Sequence, residues 1–140
     1  MIWQTHPSFT DEFRAGGCAI MTCWWWSAVK TGLSLSPDLI AWHWKHVLRK
    51  SNAVKRDGTI LDWKEAYRLM GLEVVYMQSR APAEYVCRPG EWEHLHWVAP
   101  DAEHFTAGDG RGRVTYDPWG ESETVQVGKV QDKRIFVRRR

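Results

Sequence analysis

Three side chains of this sequence could carry acyl-transfer chemistry if the fold brings them together: Cys18, His104 and Asp117. Cys18 follows Gly16-Gly17 and opens an apolar helical stretch, where unpaired backbone N–H groups and the positive end of the helix dipole favour a thiolate. His104 and Asp117 lie in two strand-like segments joined by Asp109-Gly110-Arg111-Gly112, a strong hairpin-loop signal. Counting outward from that loop pairs residue 108 with 113, 107 with 114 and, at the far end, 104 with 117. His104 and Asp117 are then direct cross-strand neighbours with Cβ atoms about 4.5–5.5 Å apart, within reach of an imidazole–carboxylate hydrogen bond. A thiol, an imidazole and a carboxylate that orients the ring are the nucleophile, base and orienting group of covalent attack on a carbonyl. The oxyanion would be held by the Cys18 backbone N–H and a side-chain donor, for which the Gln4 amide is the candidate.

The elements that must position these groups are legible in outline. The predicted register puts Phe105, Ala107, Val114 and Tyr116 on the core face of the hairpin, and His104, Thr106, Thr115 and Asp117 on the other. The Cys18 helix runs to about Lys30, with Gly32 as its stop signal. Apolar residues surround its whole circumference, so it belongs at the centre of the core. Ser36-Pro37-Asp38 starts a second helix that continues to about Lys50 and buries Ile40, Trp44, Val47 and Leu48. After a turn at Asp57-Gly58, a third helix near Asp62 to Met70 presents Trp63, Ala66, Tyr67 and Met70 on one face. Strand patterns follow at 73–77, 92–99, 103–108, 113–117, 123–127 and 133–137. Helices first and strands second predict an α+β fold, with the nucleophile helix packed on a C-terminal antiparallel sheet.

Composition narrows the field. The 140 residues suit a single domain spanning 1–140, and 44% hydrophobic with 26% charged residues exclude a disordered or fibrous chain. The longest apolar run, Cys18 to Trp26, falls well short of the roughly 20 residues needed to span a bilayer, so no membrane partner is expected. Met1 to Pro7 lacks the basic-then-apolar pattern of a secretory signal, which makes a cytoplasmic location the expectation. The net charge of +2 hides an asymmetry: six of the 19 basic residues fall in the last twelve, and the remaining chain is slightly acidic. Residues 133–140 therefore read as a solvated basic tail, and nucleic acid is not an expected partner.

Competing assignments for the same residue types are less specific. Cys23 lies about 140° around the helix from Cys18 among bulky Trp residues, which suits packing. Cys87 falls in a loop. His94 and His96 alternate with Trp92 and Val98 on one strand face, but no metal-ligand spacing accompanies them, and neither metal nor cofactor is expected. The ten Trp residues read mainly as core, with Trp42 and Trp119 as candidates for an exposed ring that holds substrate.

A Gln, a Gly-Cys that opens an apolar helix, a late His on a strand and an Asp-Pro that ends the next strand together resemble the papain-like cysteine peptidases, specifically their compact bacteriocin-leader-peptidase-like branch. The matching residues are Gln4, Gly17-Cys18-Ala19-Ile20, His104-Phe105 and Tyr116-Asp117-Pro118-Trp119-Gly120. The layout is also similar to that of small phage-encoded proteins. The resemblance implies a papain-like fold, with Cys18 as nucleophile, His104 as general base, Asp117 as orienting residue and Gln4 as oxyanion donor. It implies an amide substrate in a peptide, an isopeptide or a peptidoglycan stem. The chain departs from the family where Gln4 stands farther from the cysteine than usual and where Thr106 replaces an aliphatic residue after the His. The alternative function is a non-catalytic, phage-type binding or structural protein on the same fold.

Overall fold

The computed structural model describes residues 1–139 and is α+β. Thr10 caps a short helix α1 (Asp11–Gly16) by accepting from Phe13 N, and Gly17 links it directly to α2 (Cys18–Thr31). Gly32 ends α2 in the left-handed conformation that glycine adopts without strain. Helix α3 (Pro37–His43) starts at the Ser36 cap and runs into a π-helical turn, Trp44–Leu48, closed by Arg49 N donating to Trp44 O. Asp62 caps α4 (Trp63–Leu69) through Glu65 N. The strands are β1 (Val74–Pro82), β2 (Glu91–Ala99), β3 (Ala102–Gly108), β4 (Val114–Tyr116) and β5 (Lys129–Arg138), with a short helix α5 (Glu123–Val127) before the last. They form one antiparallel sheet in the order β1-β5-β2-β3-β4.

Helix α2 packs on β3 and α4 on β1, so their apolar faces meet over the sheet. Trp26, Trp63, Tyr67, Trp92 and Phe136 are the large side chains at this junction. Five of the ten tryptophans, Trp24, Trp26, Trp44, Trp63 and Trp92, are therefore core, and Trp25 packs partly buried against them.

Four expectations are corrected. Residues 123–127 alternate like a strand but form a helix, because the Ser122 hydroxyl accepts from Val125 N and supplies an N-cap. The second helix does not run evenly to Lys50. The π turn keeps Ile40, Trp44 and Leu48 buried and leaves Val47 partly exposed. Residues 129–138 are not a solvated tail but an interior strand: Lys133 is buried against Glu93, and Ile135 and Phe136 lie in the core. Arg140 lies outside the described residues.

The fourth correction concerns the hairpin. Its loop has five residues, closed by Asp109 N donating to Arg113 O, and Thr115 is an extra residue in a bulge on β4. Ala107 therefore faces Tyr116, and Gly108 faces Val114. The slip amounts to two positions beyond the bulge, so His104 and Asp117 are not directly opposite. A slip of two preserves the side of the sheet on which each residue lies, and both still share one face. Val114, expected in the core, is exposed at the sheet edge.

One tertiary contact admits only glycine. The turn at residues 55–60, held by the Val54–Ile60 bridge and by Lys55 N donating to Thr59 O, packs backbone against backbone on Gly16-Gly17. A Cβ on Gly16 would fall 1.8 Å from Asp57 O, and one on Gly58 would fall 2.2 Å from Gly16 O. Gly58 also has φ +92°; Gly71 has the same φ, but a Cβ there would point into open space with nothing within 4 Å. We expect Gly71→Ala to cost about 1 kcal/mol for its backbone alone. Gly58→Ala should cost about 3 kcal/mol or more, because it adds a clash between main chains. Urea denaturation of the two variants measures the difference, and equal losses would show that the turn does not rest on Gly16.

Candidate active site

Cys18 is the first residue of α2 and is partly exposed. Its helix begins at Gly17, which has no side chain, and no side-chain cap satisfies the first turn. The N–H groups there remain free for an anion, and the helix dipole adds to their effect. Gly17 is required at this place because a Cβ would fall 2.6 Å from Phe13 O. The direct passage from α1 to α2 thus leaves the thiol at an uncapped helix start.

His104 on β3 is 6% exposed, and its Nε2 lies 2.7 Å from Asp117 Oδ1. Asp117 follows β4 in a turn that supplies two further donors: Trp119 N reaches Oδ1 at 2.9 Å, and Ser122 N reaches Oδ2 at 3.0 Å. A carboxylate so engaged acts as acceptor, so Nε2 of the ring carries the proton. Nδ1 is then the ring nitrogen left without a partner among the described residues, and Cys18 lines the same cleft as His104. Burial disfavours the imidazolium, but the Asp117 hydrogen bond, the neighbouring Cys18 and the Asp117 charge outweigh it and carry His104 up to about 9. Burial likewise opposes the Asp117 charge, yet the donors from His104, Trp119 and Ser122 hold its carboxyl below the usual range.

Cys18 and His104 border a cleft of about 330 Å³. Ala15, Gly16, Cys18 and Ala19 form one wall, and the turn from Asp57 to Ile60 forms another. Trp63 and Phe105 supply apolar surface beside the thiol. The rim is charged. Arg134 lies over the Phe105 ring at 5.6 Å and pairs with Asp132, while His96 stacks on Phe105 and places its two ring nitrogens 3.2 Å from Asp132 and Glu103. Sequence reasoning treats Asp57-Gly58 only as a turn and misses Trp63, Phe105 and Arg134 as cleft residues. The signal that could have found the turn is the pairing of Gly16-Gly17 with a second glycine whose backbone must come close.

Gln4 is buried and is not among the residues lining the cleft. Its Nε2 donates to Arg14 O at 3.0 Å, and its backbone N donates to Pro118 O at 2.8 Å. It therefore ties the residue after Asp117 to the segment that leads into Gly16-Gly17-Cys18. The other thiols are placed differently. Cys23 is fully buried, and burial pushes its thiol far up, while Cys87 is raised to about 12 by burial and by the Glu93 charge beside it. His94 sits in the core on Tyr67, and burial, aided by Arg134, holds it neutral. His94 and His96 share a strand face but do not meet at one site; among the described residues no group of three or more His, Cys, Asp or Glu is arranged to hold a metal. Trp42 and Trp119 are exposed but do not line the cleft. No helix of the described residues is long and apolar enough to cross a membrane.

The class that this fold and site define is an α+β domain with a Cys-His-Asp arrangement at a helix start. No protein-family model, curated protein or solved structure matches the chain, so the site is read from its own geometry.

The His104–Asp117 pair makes stability depend on pH from both sides. His104 is raised from 6.5 to about 9, so its contribution is complete below its unfolded value and is lost as pH rises through about 9. Asp117 is lowered, so its contribution is present above the ordinary value of 3.8 and is lost as pH falls through its folded value. We expect wild type to exceed Asp117→Asn in Tm by the largest margin between about pH 5 and 6.5, with the margin shrinking toward pH 3 and pH 9. Thermal scans across that range test this, and a margin independent of pH would remove the charged pair from the account.

Proposed function

We propose that this chain is a papain-like cysteine hydrolase that cleaves an amide bond. The observation that carries the reading is the polarity of the triad. His104 gives Nε2 to a buried carboxylate at 2.7 Å, which leaves Nδ1 unpaired, and a partly exposed thiol at an uncapped helix start lines the same cleft.

The chemistry follows from that arrangement. The Cys18 thiolate attacks the carbonyl carbon, an S–C bond forms, and the carbonyl electron pair moves onto oxygen. The free N–H groups of the α2 first turn face the developing oxyanion. His104 donates its Nδ1 proton to the amide nitrogen as the C–N bond breaks, which releases an amine and leaves a thioester on Cys18. A water then gives a proton to His104 and attacks the thioester, releasing the carboxylate and restoring the thiolate and imidazolium. Asp117 stays ionised throughout and holds the ring. In this scheme Gln4, whose amide donates to Arg14 O away from the cleft wall, holds the segment that leads into Cys18.

The substrate is a peptide, an isopeptide or a peptidoglycan stem amide. The cleft beside Cys18 offers Trp63 and Phe105 to an apolar group and charged side chains at the rim. Similarity to small phage-encoded proteins keeps cell-wall and host-protein amides in the same substrate class.

Alkylation by iodoacetamide, located by mass spectrometry, tests the nucleophile without a known substrate. We expect rapid and selective labelling of Cys18 at about pH 6, at least about tenfold slower in His104→Ala, with Cys23 and Cys87 unlabelled in the folded protein. Labelling of Cys18 only above about pH 8, or none, would remove the nucleophile and favour a non-catalytic binding protein on this fold.

A further inference from the structure

We propose a second, independent site: a binding surface for single-stranded nucleic acid on the π-helical turn, built from a basic concavity beside an exposed tryptophan. Lys45, His46, Arg49, Lys50 and Arg56 together line one concavity, with no acidic residue in its wall. The sequence contains no acid between Asp38 and Asp57, while five Lys and Arg residues fall in that interval. Arg49 reaches Glu12 at 3.3 Å, but among the described residues Lys45, Lys50 and Arg56 have no ion pair. Cations gathered this closely repel one another, and an anion that bridges them relieves the repulsion. The small net charge of the whole chain conceals this patch, because net charge reports no distribution.

The neighbouring aromatic surface selects among anions. Trp42 is 56% exposed and packs on His46 at 5.3 Å between ring centroids, so its free face borders the basic wall. An acidic polypeptide would use only the charges. A nucleic acid strand uses both features, phosphates on the cations and a base on the indole. An unpaired strand is favoured over a duplex because the ring is presented singly and stacking requires an accessible base face. The π turn produces this arrangement: it keeps Trp44 and Leu48 in the core and presents Lys45, His46 and Arg49 outward together. The concavity is separate from the cleft beside Cys18: Arg56 lines one and Asp57 the other, and the two share no residue.

Fluorescence anisotropy with a labelled oligothymidylate of about 12 nucleotides tests the proposal. We expect binding at about 50 mM salt, with a log–log salt slope of about −2 to −3, the value for three to four phosphate contacts on a single strand. The double variant Lys45→Glu, Lys50→Glu should weaken binding at least about tenfold and flatten the slope. Trp42→Ala should weaken it about fivefold or more with the slope unchanged. Both lysines and Trp42 are exposed, so the variants should fold as wild type does, which thermal unfolding verifies. Absence of binding to the wild type overturns the proposal, as does full retention in the double lysine variant. An unchanged affinity in Trp42→Ala, or equal competition by polyglutamate of matched charge, would show an acidic polypeptide site instead.

Discussion

A buried carboxylate must be surrounded by donors, and Asp117 meets that requirement in a turn that draws three parts of the chain together. It receives His104 from β3, the Trp119 and Ser122 backbone amides from its own turn, and through Pro118 O it holds Gln4 of the N-terminal segment. Ser122 in turn caps α5. Each donor is needed because an ionised oxygen left unpaired in this setting costs several kcal/mol. The same bonds fix which ring nitrogen of His104 is committed. With Nε2 bound to the carboxylate, only Nδ1 is left unpaired, so the support of a buried charge and the orientation of the ring are one arrangement.

Three thiols in one small domain show how environment, and not residue type, sets reactivity. Cys18 stands partly exposed at a helix start beside an imidazole. Cys23 is sealed in the core, and Cys87 lies against the Glu93 carboxylate, so both are held as neutral thiols. Burial raises a thiol's pKa, and a neighbouring carboxylate raises it further. The glycines before Cys18 serve this contrast. They remove the side chain that would cap α2 and admit the 55–60 turn as a cleft wall.

Signals that are local were legible, and distances that depend on tertiary packing were not. Ser36-Pro37-Asp38 and Asp62 mark helix starts because a capping side chain acts within one turn. Cys18, His104 and Asp117 were identifiable from chemistry and from alternation along the hairpin. The register itself was not, because loop length and a bulge are decided by packing, yet parity preserved the face and hence the pair. Residues 123–127 were misread for a related reason: alternation over five residues is weak against one buried cap. The cleft walls at Trp63 and Arg134 come from elements far apart in sequence, and nothing in either local pattern indicates that they meet.

The charge at the chain's end has a structural use that composition conceals. Lys133 lies buried in β5, 2.8 Å from Glu93 of β2, and also donates to Tyr85 O. A buried ion pair is poor evidence of added stability, since desolvation offsets much of the attraction, but it discriminates strongly between registers. The other Glu93 oxygen accepts from Gly110 N and Gly112 N, and a Cβ on Gly108 would fall 2.3 Å from it. Glu93 therefore shapes the hairpin loop as well as pairing with β5. That loop's five-residue length begins the offset that the β4 bulge completes, and the offset determines where Asp117 meets His104. The His104–Asp117 pair thus depends on a second buried charge on the neighbouring strand, through a loop whose backbone amides that carboxylate holds.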